Sequence, residues 1–212
     1  MHTASRYSAI LIWLQWTCST ALPLAAGLSY LYIHGAPSGD ITSWYMAVFT
    51  LIGILQWAMV LYRYFNNFAW WIGTTSFGWF LAGVIWLLLD RSIRAILGKS
   101  FFVGFDPAMV AVGSVIAGAV IGISIGGLQY LLLRDRLKGA IWWLPANILG
   151  FGIGYAIISQ WLAAGGGPNN SFMPVLDRPI ILTGTILGSI VVSIVTATAM
   201  TWLLLHNRFI AS

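Results

Sequence analysis

The sequence predicts an all-α fold: a bundle of six transmembrane helices that forms a single integral membrane domain over residues 1–212. Composition is the first argument, because 59% of the residues are hydrophobic, 7% are charged and the mean hydropathy is +0.88. This amino-acid composition differs strongly from that of soluble domains. Long charge-free stretches are the second argument, since a spanning helix needs about 20 apolar residues. A repeated helical hairpin is the third.

The six spans follow the charge-free stretches in order. We place them near 8–33, 43–62, 68–89, 107–133, 140–163 and 179–205. Their apolar runs are continuous rather than alternating, which excludes a transmembrane β-barrel. The first span follows Arg6 but is about twice as long as the apolar region of a signal peptide, so we expect it to be retained. It holds the single cysteine, Cys18, which excludes an internal disulfide and a cysteine-based zinc site.

One hairpin pattern occurs twice, with an offset of 73 residues between the glutamines. The first part of the pattern is Gly53-x-Leu55-Gln56-Trp57-x5-Arg63 in one copy and Gly126-x-Leu128-Gln129-Tyr130-x5-Arg136 in the other. The second part is Trp70-Trp71-x6-Gly78 and Trp142-Trp143-x6-Gly150. The sequence therefore predicts two repeated hairpins at about 44–89 and 117–163.

The end of the sixth span extends this pattern, because Trp202-x5-Arg208 has the same spacing. This predicts a half repeat at 179–208 that pairs with the first span, which gives three hairpins in a pseudo-threefold arrangement. Trp13 of the first span can be aligned with Trp143, although that span has no glycine equivalent to Gly150. All copies have the same topology, so the inverted repeat of many secondary transporters is absent.

The charges divide unequally between the two sides of a six-span protein. One side receives six basic residues and one acidic residue: Arg6, Arg63, Arg134, Arg136, Lys138, Arg208 and Asp135. The other side receives four of each sign: Arg91, Arg94, Lys99, Arg178, Asp40, Asp90, Asp106 and Asp177. The positive-inside rule then predicts that this first side, with both termini, lies in the cytoplasm. Basic residues on the cytoplasmic side interact favourably with anionic lipid headgroups. We therefore expect them to anchor the protein to the membrane and not to bind nucleic acid.

Two glutamines lie at membrane depth. Gln56 and Gln129 each precede an interfacial arginine by seven residues, which places them about 10 Å into the hydrocarbon at 1.5 Å per residue. Buried amides need hydrogen-bond partners. The antiparallel neighbours offer Thr74, Thr75 and Ser76 at the depth of Gln56, and Asn147 at that of Gln129. We favour interhelical hydrogen bonds as the role of this layer of Gln56, Gln129, Thr75 and Asn147. A polar site for a ligand or a pigment metal is the alternative.

Small residues recur at helical spacing on the later spans, where they predict close helix packing. They are Ser114, Gly118, Gly122 and Gly126 on the fourth span, Gly150 and Gly154 on the fifth, and Gly184, Thr185, Gly188, Ser189, Ser193, Ala197 and Thr201 on the sixth. We expect most of them to pack within this chain. The alternative is that one stripe contacts a partner helix or an identical subunit.

The chain has twelve tryptophans, which we interpret as an aromatic belt at the two membrane interfaces. Trp57, Trp70, Trp71, Trp142, Trp143 and Trp202 fall toward one interface, and Trp44, Trp86 and Trp161 toward the other. The longer connections, 90–106 and 164–178, lie at the second interface. In the first of these, apolar and basic residues alternate between Arg91 and Phe102, which fits either a short interfacial helix or an ordered loop.

The sequence offers no catalytic constellation. It has no glutamate, and the predicted spans have no Asp, Lys or Arg, whereas proton relays and ion pumps usually carry such groups. His2, His34 and His206 fall in different places and do not form one metal site. Phosphate-binding Gly-Lys motifs are absent. We therefore expect no enzyme and no cofactor, with Asp135 and Asp177 as the loop carboxylates left for any chemistry.

The repeated Gly-x-x-Gln-Trp-x5-Arg and Trp-Trp signature resembles that of a set of uncharacterised bacterial multi-pass membrane proteins. The resemblance covers about residues 50 to 160 and the end of the sixth span. Tyr130 replaces the usual tryptophan, and Tyr62 stands where a basic residue is expected. This resemblance implies the hairpin architecture and a location in a bacterial inner membrane, and it supplies no function.

Two functional hypotheses follow. The favoured one is a non-catalytic accessory subunit or assembly and stability factor of a membrane complex, in contact with the lipid bilayer and with a membrane protein partner or a second copy. The alternative is a carrier or channel for a neutral or lipidic solute, with the polar layer lining its path.

Overall fold

The computed structural model describes residues 2–34, 41–65, 69–97, 107–165 and 178–208. They form six long helices: α1 (His2–His34), α2 (Ile41–Met59), α3 (Trp70–Leu97), α4 (Pro107–Leu133), α5 (Trp143–Gly165) and α6 (Arg178–Arg208). Each is long and apolar enough to cross a membrane. The predicted all-α bundle of six spans is confirmed.

The helices form a closed ring in chain order. Each helix packs against its neighbours in sequence, and α6 returns to pack against α1. A hydroxyl pair joins these two helices, since Ser29 Oγ lies 2.7 Å from Thr185 Oγ1. We call the end of the bundle where α1 begins and α6 ends the terminal end. The predicted pairing of the first and last spans is therefore present, whereas the pseudo-threefold arrangement stays a prediction.

Helix α3 is longer than predicted, because it continues past Asp90 to Leu97. An ion pair one turn apart stabilises this continuation: Arg94 Nε donates to Asp90 Oδ2 at 2.7 Å. The charges that end the apolar span therefore do not end the helix. The connection was predicted to be either a short interfacial helix or an ordered loop. Residues 90–97 are neither, because they continue α3. Residues 98–106 lie outside the described residues.

Two short turns close the hairpins at the terminal end. Each contains one turn of 3-10 helix, Leu61–Arg63 between α2 and α3 and Ala140–Trp142 between α4 and α5. Gly139 has a φ of 76°, a left-handed conformation that favours glycine. Asn207 of α6 fastens this second turn, because its Oδ1 accepts from Lys138 N at 2.7 Å and its Nδ2 donates to Lys138 O at 3.1 Å.

The small residues of α4 lie against α5. A Cβ on Gly122 would stand 2.5 Å from the backbone oxygen of Asn147, and one on Gly126 would stand 2.8 Å from Asn147 Cβ. A Cβ on Gly118 would overlap the backbone oxygen of Phe151. These glycines let the two backbones approach closely. The stripe is therefore occupied inside this chain.

The small residues of α6 are also covered by this chain. A Cβ on Gly188 would stand 2.5 Å from Gly154 O of α5, and one on Gly184 would overlap the side chain of Trp161. Ser189 and Ser193 are fully buried. Since the stripes of α4 and α6 are both internal, neither leaves a surface for the predicted alternative contact with a partner helix or a second copy.

Candidate functional site

Gln56 connects three helices through its side-chain amide. Its Nε2 donates to Thr20 Oγ1 of α1 at 2.9 Å, and its Oε1 accepts from Trp71 Nε1 of α3 at 2.8 Å. Thr20 in turn donates to the backbone oxygen of Trp16 at 3.0 Å. All of these side chains are buried. The amide of α2 thus holds α1 and α3 together in the interior of the bundle.

Gln129 makes the corresponding bonds one hairpin further along the chain. Its Nε2 donates to Thr75 Oγ1 of α3 at 2.9 Å, and its Oε1 accepts from Trp143 Nε1 of α5 at 3.0 Å. Thr75 donates to the backbone oxygen of Trp71 at 2.8 Å. Each glutamine therefore donates to a threonine on the preceding helix and accepts from a tryptophan on the following one.

These partners differ from the predicted ones. Gln56 was expected to pair with Thr74, Thr75 or Ser76, yet it bonds to Thr20 and Trp71. Thr74 and Ser76 donate to backbone oxygens of their own helix. Asn147 was expected to face Gln129, but its Nδ2 donates to Trp143 O at 2.8 Å. The predicted pairing across this layer is therefore wrong.

Three indole rings meet on the terminal side of this layer. The ring centroids are 5.8 Å apart for Trp16 and Trp71, 5.6 Å for Trp16 and Trp143, and 5.9 Å for Trp71 and Trp143. All three are buried. The aromatic-belt prediction is therefore wrong for Trp71 and Trp143, which lie in the core instead. Their neighbours Trp70 and Trp142 are exposed, as a belt requires.

Gln56 and Gln129 each accept a hydrogen bond from a tryptophan on the following helix. The corresponding third link, a bond between α6 and α1, is missing among the residues that the structure describes. Trp16 Nε1 and Thr201 Oγ1 are buried and have no hydrogen-bond partner within the described residues. Thr201 immediately precedes Trp202, just as Gln56 and Gln129 immediately precede Trp57 and Tyr130. A threonine thus stands where the pattern of the other two hairpins has glutamine. Trp16, not Trp13 as aligned from the sequence, is the α1 residue in contact with Trp71 and Trp143.

We expect Thr201→Gln to complete the third link and to stabilise the protein. The new amide would accept from Trp16 Nε1, and a membrane interhelical hydrogen bond contributes about 0.6 to 1.7 kcal/mol. Thermal unfolding in mild detergent would measure the gain. In a Trp16→Phe background, which lacks the donor, the same substitution should give no gain. A loss of stability on Thr201→Gln alone would mean that the longer side chain does not fit.

A small cavity lies on the other side of the layer, on the bundle axis. Its volume is about 20 Å³, and all the residues that line it are buried. The lining consists of Thr20, Phe49, Ile52, Gln56, Thr75, Ile125, Gln129, Trp143, Asn147, Phe151, Val192 and Thr196. All six helices contribute. The four predicted residues of the polar layer therefore meet at one place, where they line one side of the cavity.

The other predicted candidates lie apart from this place. His206 stacks on Trp202, with ring centroids 5.2 Å apart. Cys18 is exposed on α1. Asp135 is exposed and lies 3.6 Å from Arg134 Nε. Among the residues that the structure describes, no three His, Cys, Asp or Glu side chains group as a metal site. The side chains of His2 and His34, and all of Asp177, lie outside the described residues.

Sequence reasoning missed Thr20, Trp16 and Thr196 as parts of the site. A signal for the first two exists: a tryptophan followed four residues later by Thr or Asn occurs as Trp16-x3-Thr20, Trp71-x3-Thr75 and Trp143-x3-Asn147. This spacing places both side chains on one helix face, where the polar residue bonds to the backbone of the tryptophan. No comparable signal marks Thr196.

The fold and the buried polar layer define a multi-pass helical membrane protein. Comparison with protein-family models, with curated proteins and with solved structures gave no match.

Proposed function

We propose that this protein is a non-catalytic accessory subunit, or an assembly and stability factor, of a membrane complex. The proposal is carried by one observation: the buried glutamines of the polar layer form hydrogen bonds between helices. Gln56 and Gln129 each bond to two other helices, so their amides serve to hold the bundle together. Interhelical bonding is the usual role of such residues in membrane proteins.

Helix α3 is where we expect the partner to contact this protein. Within its most apolar stretch, 17% of the residues are buried inside this chain, whereas the other five helices bury 39–50% of theirs. Its outward side carries Phe77 and Phe80, exposed by 54% and 43%. Aromatic side chains provide much of the binding energy at protein interfaces. We propose that an apolar helix of a membrane protein partner covers this face. If lipid alone covers it, no partner should co-purify.

Purification of the tagged protein from its native membrane in mild detergent tests the proposal. We expect a stoichiometric membrane protein to co-purify, and mass spectrometry would identify it. Phe77→Ala combined with Phe80→Ala should lower its yield about tenfold or more, as for loss of an interface hot spot. Ile190→Ala combined with Ile194→Ala is the matched control, because these α6 residues are 38% and 40% exposed. Recovery of the wild-type protein alone would contradict an accessory role.

The second candidate function is a carrier for a neutral or lipidic solute, whose path the polar residues around the axial cavity would line. At about 20 Å³ the cavity accommodates roughly one water molecule, so a larger solute requires a different conformation. A lone protein that retains one specific lipid or small molecule through purification would favour this candidate over the first.

We also propose that the protein lies in a bacterial inner membrane with its terminal end in the cytoplasm. The turns at that end carry Arg63, Arg134, Arg136 and Lys138, all exposed, and positive charge is enriched in cytoplasmic turns. Protease access to a C-terminal tag in intact cells and in inverted vesicles would test this orientation.

A further inference from the structure

The axial cavity is small, and the amide side chains that line it have donors and acceptors that their hydrogen bonds within the protein do not use. Cavities that hold water are polar, provide two to four partners and offer at least about 10–15 Å³. The volume here is about 20 Å³. It is therefore large enough for one water molecule and too small for an organic ligand.

Asn147 provides the main acceptor. It is 2% exposed, and its one hydrogen bond within the described residues uses Nδ2. That bond to a backbone oxygen fixes which way the amide points, because an oxygen in the same position would face another oxygen. The Oδ1 of a residue that lines the cavity therefore remains able to accept.

The two glutamines provide further capacity. Each amide nitrogen has two N–H groups and uses one, on Thr20 or on Thr75. Each amide oxygen has two lone pairs and accepts from one tryptophan. The cavity is thus bordered by donors and acceptors together, as a water molecule requires. Apolar side chains, among them Phe49 and Phe151, line the rest of it.

We propose that this cavity is a site for one structural water molecule, which donates to Asn147 Oδ1 and bonds to at least one of the glutamine amides. Gln56 and Gln129 are joined to their own hairpins and to the helix before, but no direct bond joins either of them to Asn147 among the described residues. The water would supply that connection and give α5 a second link to the glutamines, beside the bond from Trp143 to Gln129. The site is independent of the proposed accessory function.

A structure of the wild-type protein in a lipid environment at about 2 Å resolution, together with one of Asn147→Leu, tests the proposal. We expect a compact density peak about 2.5–3.0 Å from Asn147 Oδ1 and about 2.5–3.2 Å from one glutamine amide. The peak should disappear in Asn147→Leu. If that variant does not fold, the wild-type map decides alone. A wild-type map without the peak, an elongated density too large for water, or a peak that persists in the variant would overturn the proposal.

Discussion

Replacing Gly122 with alanine should force α4 and α5 apart and destabilise the protein by about 1–3 kcal/mol, the usual cost of overpacking. The new Cβ would lie 2.5 Å from Asn147 O and 2.7 Å from Ile148 Cα. Both are backbone atoms of α5, so no side-chain rotation relieves the overlap. The helix must move, and with it Trp143 and Asn147, which belong to the polar layer.

Gly127→Ala is the matched control, because it places the same change on the same helix. Within the described chain, a Cβ at Gly127 meets no atom within 4 Å. We expect this variant to unfold at the wild-type temperature or slightly above. For both variants, thermal stability is measured as the fraction of protein that remains monodisperse after heating in mild detergent. Equal stability of the two variants would show that the α4–α5 contact is looser than the structure gives it.

Gln129→Leu should lower the free energy of unfolding by about 1–3 kcal/mol, the cost of leaving a buried polar group without its partner. The donor left over is Trp143 Nε1, on a residue that is 1% exposed. Thr75 loses the donor of one bond but keeps its own bond to the backbone of Trp71. Leucine matches glutamine closely in size, so loss of the hydrogen bonds, rather than a cavity, should dominate the effect.

A double-mutant cycle with Trp143→Phe isolates the bond between the two residues. Phenylalanine has no indole N–H, so Gln129→Leu should cost less in that background than in the wild type. Unfolding in increasing SDS at constant total detergent would give the four free energies. Strictly additive changes would mean that the Trp143 to Gln129 bond contributes nothing to stability.

The six spans could be predicted from the sequence because membrane burial leaves a direct trace, the absence of charge over about 20 residues. The rotation of each helix left a weaker trace. Trp70 is 76% exposed and its neighbour Trp71 is 0% exposed, and Trp142 and Trp143 differ in the same way, at 63% and 1%. Adjacent residues on a helix point about 100° apart, so one aromatic of each pair faces outward and the other faces the axis.

The partners of the layer could not be predicted from the hairpins considered separately. The bond from Gln129 to Thr75 crosses from the second hairpin to the first, and that from Gln56 to Thr20 crosses to α1. Such contacts depend on how the hairpins assemble, which the hydropathy pattern does not record. The same limitation applies to Thr196, which lines the cavity from α6 and is marked in the sequence by nothing more than its polarity.

The contact between α1 and α6 has a consequence for biosynthesis. Ser29 and Thr185, which bond across it, are separated by 156 residues, and a chain is made from its N-terminus. During translation, α1 therefore waits through the insertion of four further helices before its final neighbour emerges. Until then, the buried faces of α1 and α5 have lipid, or an insertion factor, as their neighbour. The ring becomes complete when α6 is inserted.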